Sequence, residues 1–182
     1  WWYIVPTERI VDVLRSNPEL FKEIHPIILK DLVNSLSYRD LVIGIKHNVM
    51  LIRFIRPKVL SKLLISGDIP LEPGIINLVP DNVLVTLINR KFDVIHHVPM
   101  HKLISISKNL SSDILCKLLR EKPEIAKRLP LDVLLRAISK EPSLIENNSV
   151  SSAICRHVNA DPSLFASLPI SIKTKALGCL SE

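Results

Sequence analysis

A chain of 182 residues with 47% hydrophobic and 23% charged residues has the balance of a folded protein rather than a disordered one, and its net charge of +6 points to acidic partners. Four glycines against thirteen prolines argue against a β-sandwich or barrel, whose tight turns draw on glycine. Mean hydropathy is high at +0.28, but the most apolar stretch, Ile75 to Ile88, is broken by Asn77, Pro80, Asp81 and Asn82. It falls short of the roughly 18 uninterrupted apolar residues of a spanning helix.

The chain begins Trp1-Trp2-Tyr3, with Pro6, Glu8 and Arg9 close behind, which is not a secretory signal pattern. Lacking an initiator methionine, it is expected to be a piece of a longer protein. The two tryptophans are expected to cover an open end of the fold or to mark a lost neighbouring unit. A hydrophobic residue followed by Pro or Ser then recurs at Pro6, Pro26, Ser37, Pro57, Pro80, Pro99, Ser111, Pro130, Ser149 and Pro169. Most steps are near twenty, as from Pro6 to Pro26 (20) or Ser111 to Pro130 (19).

Behind each anchor the apolar residues fall at helical spacing. After Pro80 come Val83, Leu84, Leu87 and Ile88; after Ser111, Ile114, Leu115, Leu118 and Leu119; after Pro130, Val133, Leu134, Ala137 and Ile138. That pattern makes one stripe on a helix, not the alternation of a strand. Proline suits a first helical turn, where its missing N–H has no partner to lose. Serine suits an N-cap, and Ser37 with Asp40 resembles a capping box. Between helices lie shorter pieces that begin at Pro18, Pro123, Pro142 and Pro162, each with room for one turn of α or 3-10 helix. Phe21 and Phe165 hold the same place in two of these turns and are expected to be packing residues.

The expected fold is therefore all-α, an α-solenoid of roughly 20-residue units, each one helix plus one short turn. A longer period overlays this: Pro6 to Pro80 is a step of 74, Pro26 to Pro99 of 73, Ser37 to Ser111 of 74 and Pro57 to Pro130 of 73. Residues 1–182 are expected to form a single helical-repeat domain with duplicated blocks 6–79 and 80–148, followed by terminal units over 149–182. The proline turns and Leu/Ile pairs resemble leucine-rich-variant solenoids and, more loosely, armadillo and HEAT arrays. That resemblance implies an extended surface that binds a partner.

Motifs that carry chemistry do not emerge. The glycines, Gly44, Gly67, Gly74 and Gly178, are too scattered for a phosphate-cradling loop. His97 and His101 are four apart, but Pro99 lies between them and no glutamate follows the first, so a helical zinc site is not expected. With His96 they are expected to sit in solvent. Cys116, Cys155 and Cys179 are read as buried reduced thiols of an intracellular protein. Cys155 beside Ile154 is read as core, on a different helix face from His157. Glu8, Asp12, Glu19 and Glu23 read as solvated surface. Neither catalytic residues nor a cofactor nor a metal is expected.

Charge is unevenly placed. Between Asp40 and Asp68 there is no acidic residue, while Lys46, Arg53, Arg56, Lys58 and Lys62 are all basic. A second basic region includes Lys117, Arg120, Lys127 and Arg128, and the longer period aligns the two. Lys46, Arg53, Arg56, Lys58, Lys117, Arg120, Lys127 and Arg128 are the candidate partner-binding residues. The few aromatics offer no stacking platform for single strands, so a protein partner is favoured over a nucleic-acid backbone. The expected function is a non-catalytic protein-interaction scaffold with a basic face. The alternatives are phosphate-backbone binding through the same residues, or part of an enzyme or secreted effector whose site lies elsewhere. An intracellular, cytoplasmic location, delivery into a host cell, and self-association through an uncapped end complete the expectations.

Overall fold

The computed structural model describes residues 5–179. Trp1, Trp2 and Tyr3, and with them the expected end cover, lie outside those residues. The described residues are all-α, with no strand among them. They fall into two units, Trp1–Pro99 and Met100–Glu182. No helix among them is long and apolar enough to cross a membrane.

The first unit holds α1 (Thr7–Ser16), α2 (Pro26–Leu32), α3 (Tyr38–His47), α4 (Pro57–Ser66), α5 (Pro73–Leu78) and α6 (Asp81–Arg90), with 3-10 segments at Pro18–Glu23, Val49–Phe54 and Phe92–His96. The second holds α7 (Met100–Ile106), α8 (Ser112–Glu121), α9 (Leu131–Lys140), α10 (Asn148–Ala160), α11 (Leu164–Ser167) and α12 (Ile170–Cys179). Its 3-10 segments are Ser107–Asn109, Pro123–Arg128 and Pro142–Glu146. The stripes read from sequence on α6, α8 and α9 are all buried.

Proline and serine anchors turn out to share one backbone geometry. Pro6, Ser37, Pro80, Ser111 and Pro130 all occupy the N-cap, with φ between −54° and −70° and ψ between 141° and 167°. Proline reaches it through its fixed ring torsion. Serine reaches it by accepting a bond from the first turn: Ser37 accepts from Asp40 N, and Asp40 accepts in return from Ser37 N, closing the capping box. Proline at the first helical position occurs too, at Pro26, Pro57 and Pro73. Pro73 opens α5, a helix absent from the anchor pattern. Ser149 is not a cap: α10 starts one residue earlier, with the Asn147 side chain accepting from Ser149 N.

One junction recurs along the chain. At Asn17, Asn48, Lys91, Lys122, Glu141 and Asp161 the helix stops on a residue with φ from −131° to −143° and ψ from 65° to 96°. Each donates its N–H to the carbonyl four residues back, and each offers its own carbonyl to the N–H three residues on. The helix is thus closed and the next turn opened by the same residue. Proline follows four of the six and favours the extended backbone before it. Val49 and Phe92 follow the other two, and there the apolar pairs Leu51/Ile52 and Val94/Ile95, buried three and four residues on, draw the turn inward.

The element bounds also carry a constant offset. Thr7–Ser16 maps onto Asp81–Arg90 when 74 is added to its numbering. The same shift carries Pro26–Leu32 onto Met100–Ile106, Tyr38–His47 onto Ser112–Glu121, and Pro57–Ser66 onto Leu131–Lys140. Within the first unit, α2, α3 and α5 pack on Val49–Phe54; within the second, α7, α8 and α10 pack on Pro123–Arg128, its counterpart under that shift.

Candidate functional site

Helix α4 is built differently from the other ten-residue helices up to α9. In α1, α3, α6, α8 and α9 an acidic residue sits in the first turn and a basic one in the last, which complements the helix dipole at both ends. In α4 both are missing; Arg56 caps the N-terminus instead, and Lys58 lies in the first turn. Leu60, Leu63 and Leu64 bury one face. Lys58 and Lys62, four apart, share the exposed one, where like charges repel by a few tenths of a kcal/mol. The helix ends at Gly67 in the left-handed region, φ 84°, with nothing near its α-carbon that a side chain would strike. Under the offset of 74 in the element bounds, Pro130 and Asp132 stand where Arg56 and Lys58 do.

Two grooves flank α4, both inside the first unit. One, of about 350 Å3, runs between α4 and α6 and is lined by Lys58, Lys62 and Arg90 with Ser61, Asn82 and Thr86. The other, of about 280 Å3, lies between α4 and the connection from α2 to α3. Arg56 and Lys62 stand over its apolar floor of Val33, Leu36, Leu41 and Ile55. Neither lining contains a carboxylate. The side chains of Arg56, Lys58, Lys62 and Arg90 are all exposed and make no hydrogen bond or ion pair with the described residues.

The other sequence candidates are exposed as well, but the structure does not bring them into these grooves. Lys46, on the last turn of α3, draws the Asp68 carboxyl below its ordinary value, behind the larger effects of the Ser66 and Tyr38 hydroxyls. Arg53 sits at the end of Val49–Phe54. In the second unit Arg120 is engaged: its Nε donates to Glu141 Oε1 at 3.0 Å. Lys127 and Arg128 line a separate concavity of about 420 Å3 with Met100 and Glu124, and Lys117 stands exposed on α8. Under the offset of the element bounds Arg53 corresponds to Lys127 and Lys46 to Arg120, while Arg56 corresponds to Pro130.

Sequence reading leaves Lys62 out of the candidate set and misses Arg90 altogether. Lys62 is visible in the acid-free run from Asp40 to Asp68. Arg90 has no local signal, because only the packing of α4 on α6 brings it beside Lys58 and Lys62.

Elsewhere, basic side chains serve the fold. Arg136 donates to the carbonyls of Ser107, Lys108 and Leu110 at 3.1, 3.0 and 2.8 Å. Lys91 Nζ reaches Ile65 O at 2.7 Å, Arg156 reaches Lys127 O, and His157 Nε2 reaches Leu129 O at 3.1 Å. Each closes carbonyls near the end of an earlier element. Arg15 donates to Asp40 at 2.9 Å, so Asp40, only 8% exposed, serves the capping box and an ion pair together. Arg15 first, and then Ser37, hold its carboxyl below the ordinary value of 3.8. A depressed pKa stabilises above the unfolded value and is lost as pH falls through the folded one. The expected result is acid destabilisation below about pH 4 that is flatter in Asp40→Asn, read by urea titrations between about pH 6 and 2; identical slopes would remove this role.

The cysteines depart from expectation. Cys116 is free and buried, its Sγ 3.4 Å from Ala137 O, with burial pushing the thiol pKa up. Cys155 is half-buried and disulfide-bonded, not a reduced core thiol. The side chain of Cys179 lies outside the described ones. Phe21 is core at 2% exposure, but Phe165 is half-buried, with Lys173 Nζ 5.9 Å above its ring. His96, His97 and His101 are exposed, and the described residues contain no group of three side chains suited to a metal. Comparison with protein-family models, curated proteins and solved structures finds no match.

Proposed function

We propose that this chain is an α-solenoid, with blocks 6–79 and 80–148 related by duplication, that acts as a non-catalytic scaffold presenting a basic surface to a protein partner. The recurring junction and the constant offset of the element bounds support the duplication. One observation carries the functional reading. Arg56, Lys58, Lys62 and Arg90 stand unpaired over grooves without a carboxylate, whereas Arg15, Lys91, Arg120, Arg136 and Arg156 are used in internal contacts. Arg56 and Lys58 stand at the N-terminus of α4, where the helix dipole opposes positive charge, so they are held against local stability, which supports reading this face as a functional surface.

The test is binding to a fluorescent poly-glutamate peptide, and to single- and double-stranded oligonucleotides, across a salt series. The scaffold reading expects the peptide to bind and the oligonucleotides to bind no better. Tighter oligonucleotide binding that falls steeply with salt, and that is lost when Arg53, Arg56, Lys127 and Arg128 become Glu, replaces it with phosphate-backbone recognition.

A further inference from the structure

We infer that the two grooves beside α4 together hold one acidic-amphipathic segment of a partner protein, a stretch in which carboxylates alternate with apolar side chains. This rests on the scaffold reading and narrows it to a site and a partner chemistry.

Lys62 lines both grooves, so they share a wall and offer one binding track. Along it the charge is of one sign: Arg56 at the start of α4, Lys58 and Lys62 on its exposed face, and Arg90 across from them on α6. Charge complementarity therefore calls for a polyanionic occupant. The floor then decides which kind. Beneath Arg56 and Lys62 it is made of Val33, Leu36, Leu41 and Ile55, and beneath Lys58 of Val83 with Ile65. A phosphate backbone leaves such a floor uncovered, whereas leucine-sized side chains fill it. Base stacking finds no support either. The groove between α4 and α6 has no aromatic lining, and the other has a single ring, Tyr38, where successive bases need successive stacking platforms. The length of α4, ten residues or about 15 Å, matches about five residues of extended chain. Three or so carboxylates and two apolar side chains are what it can engage.

The experiment uses the whole chain and two labelled peptides of about twelve residues, one alternating Glu with Leu and one all-Glu, alongside a single-stranded oligonucleotide of similar charge. Ser61→Cys, in the groove wall, carries an environment-sensitive dye. The expected result is that the Glu/Leu peptide binds about tenfold tighter than all-Glu and shifts the dye emission. K58E/K62E should weaken it about tenfold, and K127E/R128E should leave it unchanged. Circular dichroism checks that the variants, with the charge reversals all at exposed positions and Ser61 half-buried, stay folded. Glu/Leu binding that falls with K127E/R128E, ignores K58E/K62E and leaves the dye silent overturns the grooves but leaves the scaffold reading standing. Equal affinity for both peptides removes the apolar floor from recognition and overturns the inference. Binding of neither peptide, or tighter binding of the oligonucleotide, overturns both.

Discussion

Phe21→Ala is expected to lower the unfolding free energy by about 3–5 kcal/mol, the range for emptying a buried aromatic site. Gly44→Leu is expected to destabilise on its own by about 1–3 kcal/mol. The reason lies in how the two residues share space. Phe21 is buried in the 3-10 segment after α1, and α3 packs on that segment. A β-carbon on Gly44 would lie 2.9 Å from Phe21 Cε1 and 2.8 Å from Leu51 Cδ2. Both neighbours are fully enclosed, at 2% and 0% exposure, so neither side chain can move aside freely. Glycine is required there by the neighbouring ring, since the position is ordinary helix. The chain supplies its own comparison: in the second block, Phe21 and Gly44 correspond to Ile95 and Leu118, a smaller residue where the ring was and a larger one where the glycine was. The double variant Phe21→Ala/Gly44→Leu should therefore lose about 1 kcal/mol less, or better, than the sum of the single losses. Urea denaturation of the four proteins measures it, and strict additivity would show that the two sites do not share a cavity.

That pair shows what sequence periodicity could and could not carry. The helical stripes were legible because each is local: Val83, Leu84, Leu87 and Ile88 announce one buried face whatever they pack against. Prolines located most helix starts because a fixed φ near −60° suits the N-cap and the first helical position alike. The same reliance on proline hid the junctions after Asn48 and Lys91, where no proline follows. Their constant feature is the buried apolar pair three and four residues on, as at Leu51/Ile52, and a search for that pair would have found them. Charge was legible only as density. Nothing in the order of residues separates Lys62, which stands free, from Arg136, which closes three carbonyls. That difference depends on which elements are neighbours in space.

Lys62 and Arg136 then make the sharpest comparison, because they occupy corresponding positions on α4 and α9 under the offset of the element bounds. Arg136→Ala is expected to cost about 2 kcal/mol, since it strips charged hydrogen bonds from the carbonyls of Ser107, Lys108 and Leu110. Arg136→Lys should recover less than half of that, because one ammonium cannot span carbonyls that a planar guanidinium reaches with two of its nitrogens. Lys62→Ala should change stability by no more than about 0.5 kcal/mol, as expected of an exposed residue without partners. Binding should show the reverse: Lys62→Ala weakens an acidic peptide and Arg136→Lys does not. Urea titration and peptide binding on the three variants test both halves. A loss of stability in Lys62→Ala as large as that in Arg136→Ala would mean that Lys62 also holds the fold together, and the α4 grooves would lose the free cation they share. The expected contrast would mean that one helix position is committed to packing in one half of the chain and left available for a partner in the other.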